Sequence, residues 1–303
     1  MDSTFLMTAT AIVSGFLWLM FLRGFEKVDP EPLKVILRVG LLGGLGSGFC
    51  AGTLNVLFGE LTGSDLAASN LPLGNIVLDA IFVGLNEETM KFLFTVLLIR
   101  HLKEFDEPID AAIYSTAVAL GFAVFENIDY AVTYGYVNLV VRSVTSTPLH
   151  LGTAVIWGYG IARAKFLHRE RYGRSAFPSV LPAAAVHAFY NFLCSYFDDI
   201  DAGLSLLVAL GFAFVLFLLL RKRLLFLASQ TPFVLASVCL KCGTKSVNGA
   251  SYCQRCGEKF VHEFFKVCTA CDLKLSTQDS YCWKCGSRLL SLEGERGKGE
   301  RSV

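Results

Sequence analysis

Two runs of 19 residues, 4–22 and 202–220, carry no charge. A spanning helix needs roughly 20 mostly apolar residues, so these runs commit the chain to a bilayer before any other feature is weighed. Composition sharpens this once the chain is divided. Residues 1–220 hold 13 Lys/Arg and 19 Asp/Glu, whereas residues 221–303 hold 14 and 7. The formal charge of +1 therefore hides an apolar, acidic block and a short basic one. That division argues against nucleic-acid binding by the whole chain. It argues for a membrane protein with a small soluble C-terminal module.

Between the two runs lie five further apolar segments, about 35–59, 74–99, 110–133, 138–162 and 177–197, making seven. Lys and Arg orient them. Ten of the first block's 13 basic residues fall within 23–34, 100–109 and 163–176, and Arg221, Lys222 and Arg223 follow the last run. The alternate connections near 60–73, 134–137 and 198–201 hold none. The expectation is an all-α polytopic membrane bundle of about seven transmembrane helices. Its N-terminus is outside and its C-terminus cytoplasmic, in the plasma membrane of a prokaryote. No basic stretch precedes the first run, so it reads as a span and not as a cleaved signal. The first and last segments read as lipid-facing walls. Gly43, Gly44, Gly46 and Gly48 suggest close helix packing in the second.

Ionisable groups inside spans are costly and mark interiors, water cavities and function. The third segment carries Asn86-Glu87-Glu88-Thr89-Met90-Lys91, the fourth Phe122, Glu126 and Asn127, the fifth Arg142 and His150, and the sixth His187 and Asn191. At ~1.5 Å rise per residue, Glu87, Glu88, Glu126, His150 and His187 fall in one layer of the bundle. Lys91 is within one helical turn of both Glu87 and Glu88. Adjacent residues lie about 100° apart around a helix, so the two glutamates cannot serve one point. Such a layer suits hydrolysis, with a carboxylate as general base and donors for an oxyanion. It also suits a metal-activated water or a proton relay. Each group has a structural reading as well: an ion pair for Glu87, Glu88 and Lys91, interhelical hydrogen bonds for His150, His187 and Asn191, and a helix-packing ion pair for Arg142. The functional reading rests on their occurrence together at matched depth.

The ordered set Glu87-Glu88-x-x-Lys91, Phe122-x-x-x-Glu126, His150, His187-x-x-x-Asn191 resembles the PrsW family of intramembrane proteases. That family belongs to the superfamily of type II CAAX prenyl proteases and bacteriocin-processing relatives. The resemblance spans roughly residues 1–225. It implies that Glu87 or Glu88 activates water with Glu126 or His150 assisting, and that His187 and Asn191 polarise the scissile carbonyl. Lys91 and Phe122 are then supporting residues. It leaves the catalytic metal open and implies a membrane-anchored protein substrate. Glu126, where CAAX enzymes carry His, speaks against prenyl-protein processing. The competing expectations are a non-catalytic scaffold or sensor of the same fold, and a proton-linked transporter.

Eight of the ten cysteines lie in 47 residues: Cys239, Cys242, Cys253 and Cys256, then Cys268, Cys271, Cys282 and Cys285. Each of the first four has a counterpart 29 residues on. This duplication resembles a double zinc ribbon, in which four thiolates hold a tetrahedral ion and supply most of the folding energy. Two structural zinc ions are expected. The reducing cytoplasm disfavours disulfides. The expected organisation is a membrane domain at 1–223, an apolar linker or interfacial segment at 224–237, ribbons at 238–259 and 267–288, and a disordered tail at 289–303. The basic residues of the ribbons are scattered, so a cytosolic protein partner is expected there in preference to nucleic acid.

Overall fold

The computed structural model describes residues 3–26, 30–63, 72–168 and 171–230, together with 241–242, 252–253, 255–258, 265–267, 271, 274–276, 282, 285 and 287. It divides into two compact units, Met1–Thr231 and Pro232–Val303. The first is a helical bundle: α1 (Ser3–Arg23), α2 (Leu33–Thr62), α3 (Leu73–Ile99), α4 (Pro108–Tyr134), α5 (Tyr136–Val144), α6 (Ser146–Ala162), α7 (Tyr172–Ala176), α8 (Val180–Asp198) and α9 (Ala202–Ala228). A π-helical turn, Arg163–Leu167, follows α6, and a 3-10 turn, Phe177–Ser179, leads into α8.

The all-α membrane architecture agrees with the sequence. Among the described residues, five stretches are long and apolar enough to cross a membrane: Thr4–Arg23, Leu33–Thr62, Pro108–Tyr134, Tyr172–Asp198 and Ala202–Ala228. The other two expected spans fall short of that measure, each for a local reason. Helix α3 is 27 residues long but carries Asp79, Glu87, Glu88 and Lys91. Helix α6 has 17 residues, because the fifth segment is broken.

The break has a covalent cause. Pro148 sits in the first turn of α6. It has no N–H to give Val144, four residues back, and its ring crowds that carbonyl. The chain turns at Gly135, with φ of 87°, enters α5, and leaves α5 at Thr145 before α6 begins. The expected continuous helix over 138–162 is thus corrected to two pieces.

Helix α4 is the axis of the bundle. Every residue from Ile109 to Leu120 is buried, as befits a helix apolar on all sides. Protein covers 78% of its most apolar window but 22% of those of α1 and α9, so the outer helices leave most of their apolar surface uncovered by protein. Its start is set by Pro108 and a reciprocal cap between Glu107 and Asp110. Helix α4 packs on α2 and α6, and α3 packs on α8 and α2. Two of these contacts admit no side chain. A Cβ on Gly121 would lie 2.1 Å from the carbonyl oxygen of Gly40, and one on Gly84 would lie 2.7 Å from that of Ala184. The second contact sets α3 directly on α8, one turn from Glu88 and His187.

The second unit contains a short antiparallel pair, β1 (Phe265–Val267) with β2 (Lys274–Ser276), in register Phe265↔Ser276. Helix α9 runs to Ala228, so the start of the apolar stretch 224–237 is helical. Residues 231–240, the tail 289–303, and Cys239 and Cys268 lie outside the described residues.

Candidate active site

Four helices bring the sequence-predicted residues into one buried layer. Helix α3 supplies Glu87, Glu88 and Lys91, α4 supplies Phe122 and Glu126, α6 supplies His150, and α8 supplies His187. Glu88 is fully buried and saturated. Its Oε1 accepts from Lys91 Nζ at 2.7 Å and from His187 Nδ1 at 2.8 Å, and its Oε2 accepts from Trp157 Nε1 at 2.9 Å. Three donors on one carboxylate hold it in place.

Lys91 is the cation at the centre. Besides Glu88 it reaches His150 Nδ1 at 2.9 Å and Glu87 Oε2 at 3.6 Å, and it lies 4.3 Å from the centre of the Phe122 ring. An ammonium only donates, so His150 Nδ1 accepts and the proton of this imidazole sits on Nε2. That proton goes to Glu126 Oε2 at 2.9 Å. The same oxygen pairs with Arg142 Nη2 at 2.8 Å. The tautomer follows from the partners.

Glu87 is held differently. Asn86 donates to the carbonyl of Ala51 at 2.9 Å and to Asn55 Oδ1 at 2.7 Å, and Asn55 in turn donates to Glu87 Oε1 at 3.3 Å. Glu87 Oε2 is buried without a hydrogen bond, 3.7 Å from His187 Nε2. The two glutamates, equivalent in sequence, thus differ: one is clamped, the other has an open oxygen. The layer holds three carboxylates against Lys91 and Arg142, so one further proton balances it. The atoms placed to share that proton are Glu87 Oε2 and His187 Nε2.

Asn191 lies one turn beyond His187 on α8, half-buried, and makes no hydrogen bond among the described residues. Several residues of the network were not assigned to the site by sequence, Asn55, Trp157 and Arg142 among them. Asn55 is an uncharged amide on α2, and Trp157 reads as an ordinary core aromatic. Arg142 does form an ion pair, as expected, but with Glu126 of the layer itself. The layer is most open on this side, with 21% of the Glu126 side chain and 15% of Arg142 exposed against 4% or less for the others.

In the C-terminal unit, Cys242, Cys253 and Cys256 bring their sulfurs within 4.8 Å of one another, as do Cys271, Cys282 and Cys285. Cys242 and Cys253 hold their sulfurs 3.5 Å apart, as do Cys271 and Cys282. The Cys253 N–H donates to the carbonyl of Glu258 at 2.7 Å, and 29 residues on Cys282 donates to Ser287 at 2.8 Å. Gly257, at φ 72°, closes the first of these turns. Both triads could bind a metal ion.

A helical membrane bundle with an open carboxylate oxygen, a buried cation and two imidazoles in one layer defines a class, the membrane-embedded hydrolases. Residues 31–220 match the profile described as PrsW family intramembrane metalloprotease. The chain is 28% identical to Protease PrsW of Oceanobacillus iheyensis over 64% of its own length and 85% of that protein. It is 30% identical to Protease PrsW of Clostridioides difficile, over 62% and 78%, and 24% identical to that of Bacillus subtilis, over 62% and 83%. No solved structure matches. The chain belongs to the PrsW family of intramembrane proteases, and its reaction class is peptide-bond hydrolysis within a membrane.

The family description names a metal. Glu87, His150 and His187 each bring one ligand atom within 4.8 Å of the others, a spacing that suits a single ion. The Lys91 ammonium stands among them, however, 2.9 Å from His150 and 3.6 Å from Glu87. Both nitrogens of His150 are engaged, one by Lys91 and one by Glu126. A divalent ion there would face a buried like charge at close range and would need His150 to release a partner. The triad as folded does not fit a metal.

Proposed function

We propose that the chain cleaves membrane-anchored proteins with a glutamate-activated water and no metal at the membrane site. The observation that carries this is Glu87 Oε2, a buried oxygen without a hydrogen bond, facing His187 Nε2 at 3.7 Å. Glu87 is the base and takes a proton from water as the water oxygen attacks the scissile carbonyl. With the balancing proton on His187, its Nε2–H and the unpartnered amide of Asn191 donate to the developing oxyanion. Glu87 then returns its proton to the departing amine. Glu88 holds Lys91 and His187 in place and takes no proton. Glu126 and His150 assist by fixing Lys91. The dense pairing of the remaining groups is what a non-catalytic scaffold would also show, and the open Glu87 oxygen is what such a scaffold would not need.

On this reading the bundle crosses the plasma membrane seven times, with α3 and the α5–α6 pair completing the count and the C-terminus cytoplasmic. Each ribbon holds one structural zinc, the first through Cys239, Cys242, Cys253 and Cys256, the second through Cys268, Cys271, Cys282 and Cys285. The ribbons dock a cytosolic protein. The test is cleavage of a membrane-anchored reporter by Glu87→Ala and Glu88→Gln, with His187→Ala beside them. Loss of a general base costs roughly 10²–10⁴-fold. Wild-type cleavage by Glu87→Ala refutes the assignment of the base. Zinc analysis of purified protein should give two ions per chain, and a third would refute the metal-free site.

A further inference from the structure

We infer that Arg142 is a positioning residue for hydrolysis, acting through Glu126 to fix His150 and, behind it, the ammonium of Lys91. The inference rests on the glutamate–water reading above. Arg142 rides on α5, a nine-residue helix between Gly135 and Thr145. All three of its polar and ring contacts go to α4. Its Nη2 pairs with Glu126 Oε2 at 2.8 Å, its Nε donates to Asn127 Oδ1 at 2.9 Å, and its guanidinium lies 3.8 Å from the centre of the Tyr130 ring. Asn127 is itself held by donating to Thr147 Oγ1 at 3.1 Å. A planar guanidinium reaches all three at once, meeting Glu126 as an ion pair and not as a hydrogen bond from Nη2, which a point-charge ammonium cannot do.

The consequence lies in what shares the Glu126 oxygen. Glu126 Oε2 receives Arg142 on one side and His150 Nε2, at 2.9 Å, on the other. Glu126 is also the most exposed side chain of the layer, so without the guanidinium it is free to swing outward. His150 would then keep only Ser146 Oγ, at 3.3 Å, beside its Nε2. Its ring would no longer be anchored by Glu126 against Lys91 Nζ, 2.9 Å from Nδ1. Lys91 would lose an acceptor that fixes it beside Glu87 and Glu88. Arg142 thus acts on the base through Glu126, His150 and Lys91, without touching substrate. A pair that only packed helices would have no need to share its carboxylate oxygen with the imidazole.

The test uses the full chain in liposomes with a membrane-anchored reporter. Arg142→Ala should lower kcat roughly 10²-fold with KM little changed, and Arg142→Lys about tenfold. Guanidinium ion at non-denaturing concentration should restore part of the lost rate to Arg142→Ala, while equal sodium or urea should not. A merely structural role would show no such rescue. Wild-type kcat in either variant, or loss in Arg142→Ala through KM alone, overturns the inference. Should Arg142→Ala fail to fold, Arg142→Lys carries the test by its kcat. With Glu87→Ala inactive and Arg142→Ala normal, only the role of Arg142 falls. With Glu87→Ala active, the base assignment falls and this inference with it.

Discussion

The two units of this protein gather reactive side chains in opposite ways. In the C-terminal unit the sulfurs that meet are neighbours in sequence: Cys253 and Cys256 are three positions apart and Cys242 eleven before. In the bundle, His187 and Glu88 meet at 2.8 Å across 99 positions. The cysteines offer only ligands of one kind and carry no counter-charge of their own, so the proposed ion would have to come from outside. The carboxylates of the bundle have their counter-charges within the chain, in Lys91 and Arg142. On the proposed reading, local spacing plus a metal builds one unit, and helix packing plus internal charge pairing builds the other.

Removing the metal should break the comparison most completely. Structural zinc in small domains supplies about 10–16 kcal/mol of apparent folding energy. Cys253→Ser should therefore cost one zinc and the protease resistance of the C-terminal unit, while reporter cleavage by the bundle persists in detergent. Loss of both together would mean the units are not separable. The packing side of the comparison is tested by Gly121→Val. Its Cβ would enter the van der Waals shell of the Gly40 carbonyl. The expected cost is about 3 kcal/mol or more, read as a lower Tm with zinc content unchanged.

The charge side extends to the loop after α1. Glu26 is 6% exposed. Burial, with Glu31 and Glu107 nearby, pushes its carboxyl up to about 8 from 4.5, against the opposing hydrogen bond from the Glu31 backbone. A folded value above the unfolded one means that the fold favours the protonated form. That contribution is full below 4.5 and is lost as pH rises through about 8. Tm should fall across this interval, and Glu26→Gln should flatten the fall. An unchanged slope in Glu26→Gln would place the effect elsewhere. The smallest expected effect is at Asn55. Asn55→Ala removes one hydrogen bond from Glu87 and should lower kcat about tenfold, while Asn55→Asp, which sets a like charge against the base, should lower it further.

The layer could be found in the sequence because charge inside a span is conspicuous. Glu87, Glu88, Lys91, Glu126, His150 and His187 all declare themselves in that way. Asn55 does not. It is one uncharged amide in α2, and its partner lies 32 positions away. Trp157 gives no signal either, since a buried indole is ordinary. Arg142 was visible but misplaced. On a straight fifth helix it would stand about 12 Å along the axis from His150. The break that Pro148 imposes lets α5 fold beside α4, and both residues then reach one oxygen of Glu126 within 2.9 Å.

The sequence alone determined the membrane class, the order of the four polar motifs and the cysteine framework. These depend on hydropathy and short spacing, which are properties of contiguous chain. The tertiary structure decided which glutamate keeps an oxygen without a hydrogen bond. Glu87 and Glu88 are adjacent and chemically identical, and only their neighbours distinguish them. Helices α6 and α8 bring Trp157 and His187 to saturate Glu88, while Glu87 keeps one oxygen open because α2 offers it a single amide. Likewise Lys91 is a basic side chain in any fold, but only the convergence of α3, α4 and α6 puts it among the triad that a metal would need.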